Sequence, residues 1–373
     1  MAAMNDQIDL FGGSGDDGDA GEAAKAAEAA EAAEAASDAE EAPTKATRAT
    51  TRAAARAPEL PGAAAGADEA GTLLVIDGTA LLFRVYYGMP SRQAPNGVEI
   101  GAVMGVCHQL LGICRRRPEA HVVVVYDAGQ ETFRNRIDPR YKANRGDPPD
   151  DLVPQFDLVK AASAALGFPS LALLDYEADD LMATLAAKAR AAGMGARLVA
   201  VDKDLLQSVR EDAPTVDVCD PKTDAITDAA GVRERLGVRP DQVVDYMAMT
   251  GDSTDNIQGI KGVGPKAAQA LLAAFDSLDG IFENLERIEF LSIRGAKGLA
   301  RKVEAGREDA LLARRLVRLD EAAPLELEPA ALREATRWRG PASIADEVFA
   351  QLGIRGPLTS FRRLYDARAQ GLA

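Results

Sequence analysis

Three apolar runs in this chain each end in an aspartate: Leu73-Leu74-Val75-Ile76-Asp77, Val122-Val123-Val124-Val125-Tyr126-Asp127 and Leu198-Val199-Ala200-Val201-Asp202. Short β-branched runs of this kind predict buried strands of a parallel sheet. In open α/β sheets, ligands bind beyond the carboxyl ends of the strands. If the three strands are neighbours, three carboxylates converge at one edge. Like charges that close repel and raise each other's pKa unless divalent cations neutralise them. The pattern therefore points to a metal site on the C-terminal edge of an α/β sheet.

The available ligand types narrow the metal. The chain has two histidines, His108 and His121, too few for a histidine-based site. Its three cysteines, Cys107, Cys114 and Cys219, show no paired metal-binding spacing, and their odd number fits a reduced cytoplasmic chain. Oxygen ligands remain, which favour Mg²⁺ or Mn²⁺ over zinc. No apolar run approaches the length of a membrane span. The acidic N-terminus resembles neither a secretory signal nor a transit peptide.

A net charge of −15 would ordinarily argue against a nucleic-acid partner. Its distribution removes that objection. Residues 1–70 carry 15 acidic and 5 basic side chains, which leaves only −5 for the other 303 residues. Much of that remainder falls in the carboxylate cluster, so a basic binding surface on the folded part is allowed.

A chain of 373 residues accommodates two or three domains. Residues 1–70, rich in Ala, Glu, Gly and Asp, have no large apolar face to bury and read as a disordered tail; a partner-binding arm is the alternative. Helical patterns at Ile100–Arg117, Leu152–Leu166 and Asp179–Ala192 alternate with the strands and predict crossover helices on a parallel sheet. The polar segment Gln130–Asp151 reads as a long loop above the sheet edge. After Pro240 the texture is helical, with helices at Gln242–Met249 and Pro265–Phe275, the second opening on a proline at its first position. The expected divisions are 71–238 for the sheet domain, 239–325 for a helical subdomain and 326–373 for an extension of no assigned role.

Three further acidic groups accompany the strand ends: Glu177-Ala178-Asp179-Asp180, Asp202-Lys203-Asp204 and Asp252-Ser253-Thr254-Asp255. Each alone has an ordinary explanation, either charge complementing a helix N-terminus or a solvated turn. Together with Asp77 and Asp127, alternating with strands, they read as one site.

These residues also carry a family resemblance. Val75-Ile76-Asp77-Gly78, Arg84-Val85-Tyr86, Tyr126-Asp127-Ala128, Phe133-Arg134, Tyr141-Lys142-Ala143-Asn144-Arg145, Tyr176-Glu177-Ala178-Asp179-Asp180, Asp202-Lys203-Asp204-Leu205, Gly251-Asp252-Ser253-Thr254-Asp255-Asn256 and Gly259-Ile260-Lys261-Gly262-Val263-Gly264-Pro265-Lys266 stand in this order. The chain thereby resembles the 5′-nuclease domain of bacterial DNA polymerase I, within the flap endonuclease and phage 5′-exonuclease superfamily, over roughly residues 72–325. The acidic tail lies outside the family pattern, and Pro265 replaces an acidic residue common there. The chain ends near where a polymerase I would begin its later domains, so a free-standing exonuclease is expected.

The resemblance implies a PIN-like sheet followed by a helix-hairpin-helix subdomain. It places Asp77, Asp127, Glu177 and Asp179 around one Mg²⁺ and Asp202, Asp204, Asp252 and Asp255 around a second, with Asp180 nearby. Two ions about 4 Å apart activate water and stabilise the leaving oxygen in such sites. Lys142 and Arg145 match residues that contact the scissile phosphate, and Arg84 matches a phosphate-steering position. Tyr86 is expected to stack on a terminal base, although an ordinary core aromatic is an equal reading. Phe133 and Arg134 are expected at the arch that passes a single-stranded 5′ end, and Tyr141 is expected among the DNA-binding residues. Gly259, Gly262, Gly264 and Lys266 are expected to hold duplex phosphates, with K⁺ an additional ion at the hairpin.

The implied activity is a Mg²⁺-dependent 5′-3′ exonuclease and flap endonuclease that leaves 5′-phosphate and 3′-hydroxyl ends. DNA with 5′ flaps or ends is the expected substrate and RNA primer–DNA hybrids a further one. A replication or repair polymerase is the expected partner, and the protein is expected to be a monomer in the cytoplasm, at the nucleoid. A PIN-type ribonuclease would share the sheet and acids but lack the hairpin. A DNA-binding relative without catalysis would lack part of the carboxylate set or Lys142.

Overall fold

The computed structural model describes residues 71–293 and 295–372. The tail expected over residues 1–70 lies outside the described residues. Strand β1 (Thr72–Asp77) passes directly into helix α1 (Gly78–Gly88), because Asp77 both ends the strand and caps the helix, accepting the Ala80 N–H at 2.8 Å. Only glycine fits at position 78, where a Cβ would lie 2.3 Å from the Tyr126 ring.

Helix α2 (Gly101–Arg116) leads to β2 (His121–Val125); α3 (Phe133–Ile137) and α4 (Val153–Ala165) precede β3 (Ser170–Leu171). Helix α5 (Ala178–Ala191), β4 (Gly195–Val199), β5 (Val216–Cys219) and β6 (Ile226–Thr227) complete the sheet domain. The strand order is β3-β2-β1-β4-β5-β6, and all neighbours are parallel except the β5–β6 pair. The α/β architecture therefore stands as expected. The second and third apolar runs leave the ladder early, at Val125 and Val199, so Asp127 and Asp202 sit on the turns that follow.

The strands read as unbroken apolar runs because both faces of the sheet are buried. Leu73 and Val75 enter one core and Leu74 and Ile76 the other, all fully buried. The first core continues into α5 and into the helical part: α6 (Ala229–Leu236), α7 (Val243–Thr250), α8 (Pro265–Phe275), α9 (Leu278–Glu283), α10 (Ala296–Ala305) and α11 (Arg307–Val317). Helix α12 (Pro329–Thr336) adds Leu332 to this first core, and the second is closed by α1, α2, α4 and by the C-terminal helices α13 (Ala345–Gln351) and α14 (Gly356–Ala369).

The C-terminal segment, to which the sequence assigned no role, thus completes a core. The Trp338 ring stacks on Phe168 at 5.7 Å and meets Phe361 edge-on at 6.1 Å. Its indole N–H donates to the Leu166 carbonyl at 2.9 Å. Buried indoles need such a partner. Among the described residues no helix is long and apolar enough to cross a membrane.

Candidate active site

The C-terminal edge of β1, β2 and β4 gathers the predicted acids, each held by the local backbone. Asp77 keeps one oxygen on the α1 N-terminus. Asp127 donates its N–H to Thr79 Oγ1 and accepts the Ala178 N–H at 2.7 Å, so it is tied to the start of α5. Glu177 caps that helix and Asp179 lies in its first turn. Asp202 accepts the Asp204 N–H at 2.8 Å. Asp252 accepts the Thr254 N–H at 2.8 Å in the turn after α7.

The electrostatics show that these groups face one another. Burial pushes the Asp77 carboxyl up to about 7, opposed by the Ala80 N–H and reinforced by the charges of Asp127 and Asp202. Burial, then Asp202 and Asp77, hold Asp179 well above the usual carboxylate range. Burial, then Asp202, Asp255 and Asp252, do the same to Asp204. Asp179 Oδ1 and Asp204 Oδ1 are buried without a hydrogen-bond partner, an arrangement that is costly unless something else neutralises it.

Two lysines and a tyrosine reach into the same cluster. Lys142 Nζ lies 3.0 Å from Glu177 Oε2 and 3.7 Å from Asp255 Oδ2. Arg145 pairs with the other Asp255 oxygen. Lys142 adopts φ 55, left-handed for a non-glycine residue, with its N–H bonded to the Asp255 carbonyl at 3.0 Å. Such backbone strain collects at functional sites. Burial works against the Lys142 ammonium, yet Glu177 and Asp255 hold its pKa above the ordinary value. Lys203, which sequence reasoning overlooked, pairs with Asp252 at 2.8 Å. Burial opposes ionisation of Asp252, but Lys203 holds its carboxyl below the usual range. The only sequence signal for Lys203 was its place between two of the acids.

Among the described residues no three His, Cys, Asp or Glu side chains are drawn together as a finished metal centre. The donor set nevertheless fits hard divalent cations: all ligands are oxygens, two of these oxygens lack any donor, and burial, reinforced by neighbouring carboxylates, holds Asp179 and Asp204 above the usual carboxylate range.

Four expectations are corrected. Arg134 does not face an arch: it is 1 % exposed and forms a two-pronged ion pair with Asp180, both contacts at 2.7 Å. Asp180 is correspondingly no ion ligand. Its two oxygens are taken by Arg134 and by the N–H groups of Asp320 and Glu177. Tyr141 is buried, and its hydroxyl donates towards Glu177 Oε2 at 3.0 Å and Asp255 Oδ2 at 3.3 Å, so it supports carboxylates and has no face for a base. Gly259 is a packing position, where a Cβ would lie 2.3 Å from the Gly251 nitrogen.

The other predicted contacts stay accessible. Arg84 is exposed. Tyr86 is half-buried, with its hydroxyl on Asp151 at 2.6 Å and its ring edge-on to Tyr87. Phe133 is half-buried against Tyr176. In the hairpin, Ile260 and Val263 are buried while Lys261, Gly262, Gly264 and Lys266 face outwards. Gly262 has φ +79, and nothing lies within 4 Å of a Cβ built on Gly264. Lys302 of α10 donates to the Gly262 carbonyl at 3.3 Å, a second cation beside the hairpin.

Carboxylates thus gather on a parallel sheet edge, with a basic loop across them and a glycine hairpin beside them. The chain belongs to the 5′-3′ exonuclease family: the family's N-terminal resolvase-like domain matches residues 72–237 and its C-terminal SAM fold residues 238–339. It is 37% identical over 257 residues to a DNA polymerase I of Pseudomonas aeruginosa, covering 69% of this chain and 28% of that protein. It is 35% identical over 269 residues to a thermostable DNA polymerase I of Thermus aquaticus, covering 72% and 31%. A 5′-3′ exonuclease of Buchnera aphidicola is 29% identical over 69% of this chain and 89% of its own. The chain thus spans about three-tenths of the polymerase relatives' length. Its fold is similar to that of a bacteriophage T5 5′-exonuclease with bound divalent metal ions (zinc), at TM-score 0.55 and 20% identity over 75% of this chain and 98% of that one.

Proposed function

We propose that this protein is a divalent-metal-dependent, structure-specific 5′-3′ exonuclease and flap endonuclease, with Mg²⁺ the working ion and Mn²⁺ a substitute. The observation that carries this reading is the buried, mutually repelling carboxylate set with the unpartnered oxygens Asp179 Oδ1 and Asp204 Oδ1. Asp77, Asp127, Glu177 and Asp179 would hold one ion, and Asp202, Asp204, Asp252 and Asp255 a second. Divalent ions so held supply charge neutralisation and activation of water.

The chain's own groups do the rest. Lys142 and Arg145 present cations to the scissile phosphate and stabilise charge that develops on it. Tyr141 holds Glu177 and Asp255 in place. Gly262, Gly264 and the α8 N-terminus offer amides to duplex phosphates without reading sequence, and K⁺ is the fitting ion at that hairpin. The products carry 5′-phosphate and 3′-hydroxyl ends. The setting is flap or RNA-primer removal at the nucleoid, beside a replication or repair polymerase.

Cleavage of a 5′-labelled flap with Mg²⁺, with Mn²⁺ and with EDTA tests the reading. Cutting near the junction is expected with either ion and none with chelator. Full activity in EDTA, or none with either ion, overturns it.

A further inference from the structure

The buried guanidinium of Arg134 holds more than Asp180. Its Nε donates to the Leu316 carbonyl at 2.7 Å and its Nη2 to the Arg318 carbonyl at 3.0 Å, at the C-terminal end of α11. Its Nη1 stands 3.8 Å from Glu177 Oε2. Asp180 is fully buried and also accepts the Asp320 N–H at 2.9 Å. A helix C-terminus leaves carbonyls unpaired and carries partial negative charge, which a cation satisfies on both counts.

The opposite end of α11 touches the hairpin. Gly306, which starts the helix, packs so tightly on Ile260 that a Cβ there would come within 2.7 Å of Ile260 Cγ2. Eleven residues of helix make a strut of about 16 Å. One end bears on the duplex grip and the other is fastened by Arg134 to the α5 N-terminus, where Glu177 and Asp179 emerge.

We propose that Arg134 is a positioning residue: it fixes the length between the hairpin and the acid cluster, and so selects the phosphodiester that is cut. This rests on the nuclease reading for its substrate, but the strut itself is a matter of geometry. A role in stability alone would leave the cut site unmoved. Removing both side chains also strands the Leu316 and Arg318 carbonyls and the Asp320 and Glu177 N–H groups, which lowers melting; the position of the cut is what separates the two roles.

The test uses the full chain and its Arg134→Met/Asp180→Leu double variant, with Arg134→Lys as a second variant that keeps the charge but loses the fork. Flap cleavage is mapped at nucleotide resolution. Spin labels on Arg115→Cys and Lys297→Cys, both exposed and on opposite sides of the joint, report the distance distribution; the native cysteines are buried. The expected result is a lowered melting temperature with the fold kept, near-normal flap affinity, a cleavage rate down roughly 10- to 100-fold, products spread over several positions and a broadened label distance. A single unchanged cut site with an unchanged distance overturns the proposal while leaving the nuclease reading intact. If the unsubstituted protein cuts nothing, the nuclease reading fails, and the label distances alone decide the strut. Should the double variant not fold, the Lys variant is judged by the same two readouts.

Discussion

The ammonium of Lys142 rests 3.0 Å from Glu177 Oε2. It is therefore already oriented over the acid cluster, by a strained backbone and by the Tyr141 ring 5.1 Å away. In the proposed mechanism the group has only to turn from carboxylate to phosphate. Lys142→Ala should lower the single-turnover cleavage rate on the order of 100- to 1000-fold, with flap affinity changed only a few-fold. Rapid-quench kinetics beside equilibrium binding would show it. A rate within about threefold of the unsubstituted protein would return Lys142 to an ordinary surface lysine.

Asp179 carries a charge that opposes folding. Its carboxylate is buried, unpartnered on one oxygen and surrounded by like charge. Asp179→Asn keeps the shape and removes the charge. The variant should melt roughly 2–4 °C higher than the unsubstituted protein in EDTA. It should lose most cleavage and much of the thermal gain that Mg²⁺ gives the parent. Calorimetry with and without Mg²⁺ is the measurement; a lower melting point in EDTA would contradict the account.

The glycines of the hairpin should separate into two classes. A Cβ at position 259 meets the Gly251 nitrogen and the Met249 carbonyl, so Gly259→Ala should disrupt the hairpin and lower the melting temperature. At position 264 a Cβ meets nothing, so Gly264→Val should leave melting unchanged and weaken duplex binding. Lys266→Ala and Lys302→Ala should each weaken binding about equally for unrelated sequences and reduce the salt slope by about 1. Filter binding across salt concentrations reads both effects.

Trp338→Ala should cost about 3–5 kcal/mol. It removes the ring against which both Phe168 and Phe361 pack and strands the Leu166 carbonyl. The fraction that remains folded should cut at the normal rate, because this cluster lies on the sheet face away from α5. Truncation before residue 326 should give an insoluble or molten product. Denaturant melts followed by cleavage per folded molecule would check both points.

Sequence patterning reached the strands that are buried and β-branched, and the acids that end them. It missed β5, where Asp217 interrupts the apolar run to pair with Arg197 at 2.7 Å. It missed β3 because two residues hold no pattern. Helix α1 escaped because it opens on glycine and is rich in aromatic and branched residues, which read as strand or loop. Arg134 was misread for a different reason. It stands among Arg136, Arg140, Lys142 and Arg145 and looks like one more surface cation; the partner that buries it lies 46 residues away. A long-range pairing of this kind leaves no local signature.

Asp77 satisfies the first turn of α1 with one oxygen while adding its charge to the acid cluster. Serine or asparagine would cap that helix about as well and would relieve repulsion besides. Nothing in the architecture therefore demands an acid at this strand end. An Asp77→Asn variant would therefore remain folded and keep its hairpin. The negative charge at this strand end is thus one that folding alone does not call for.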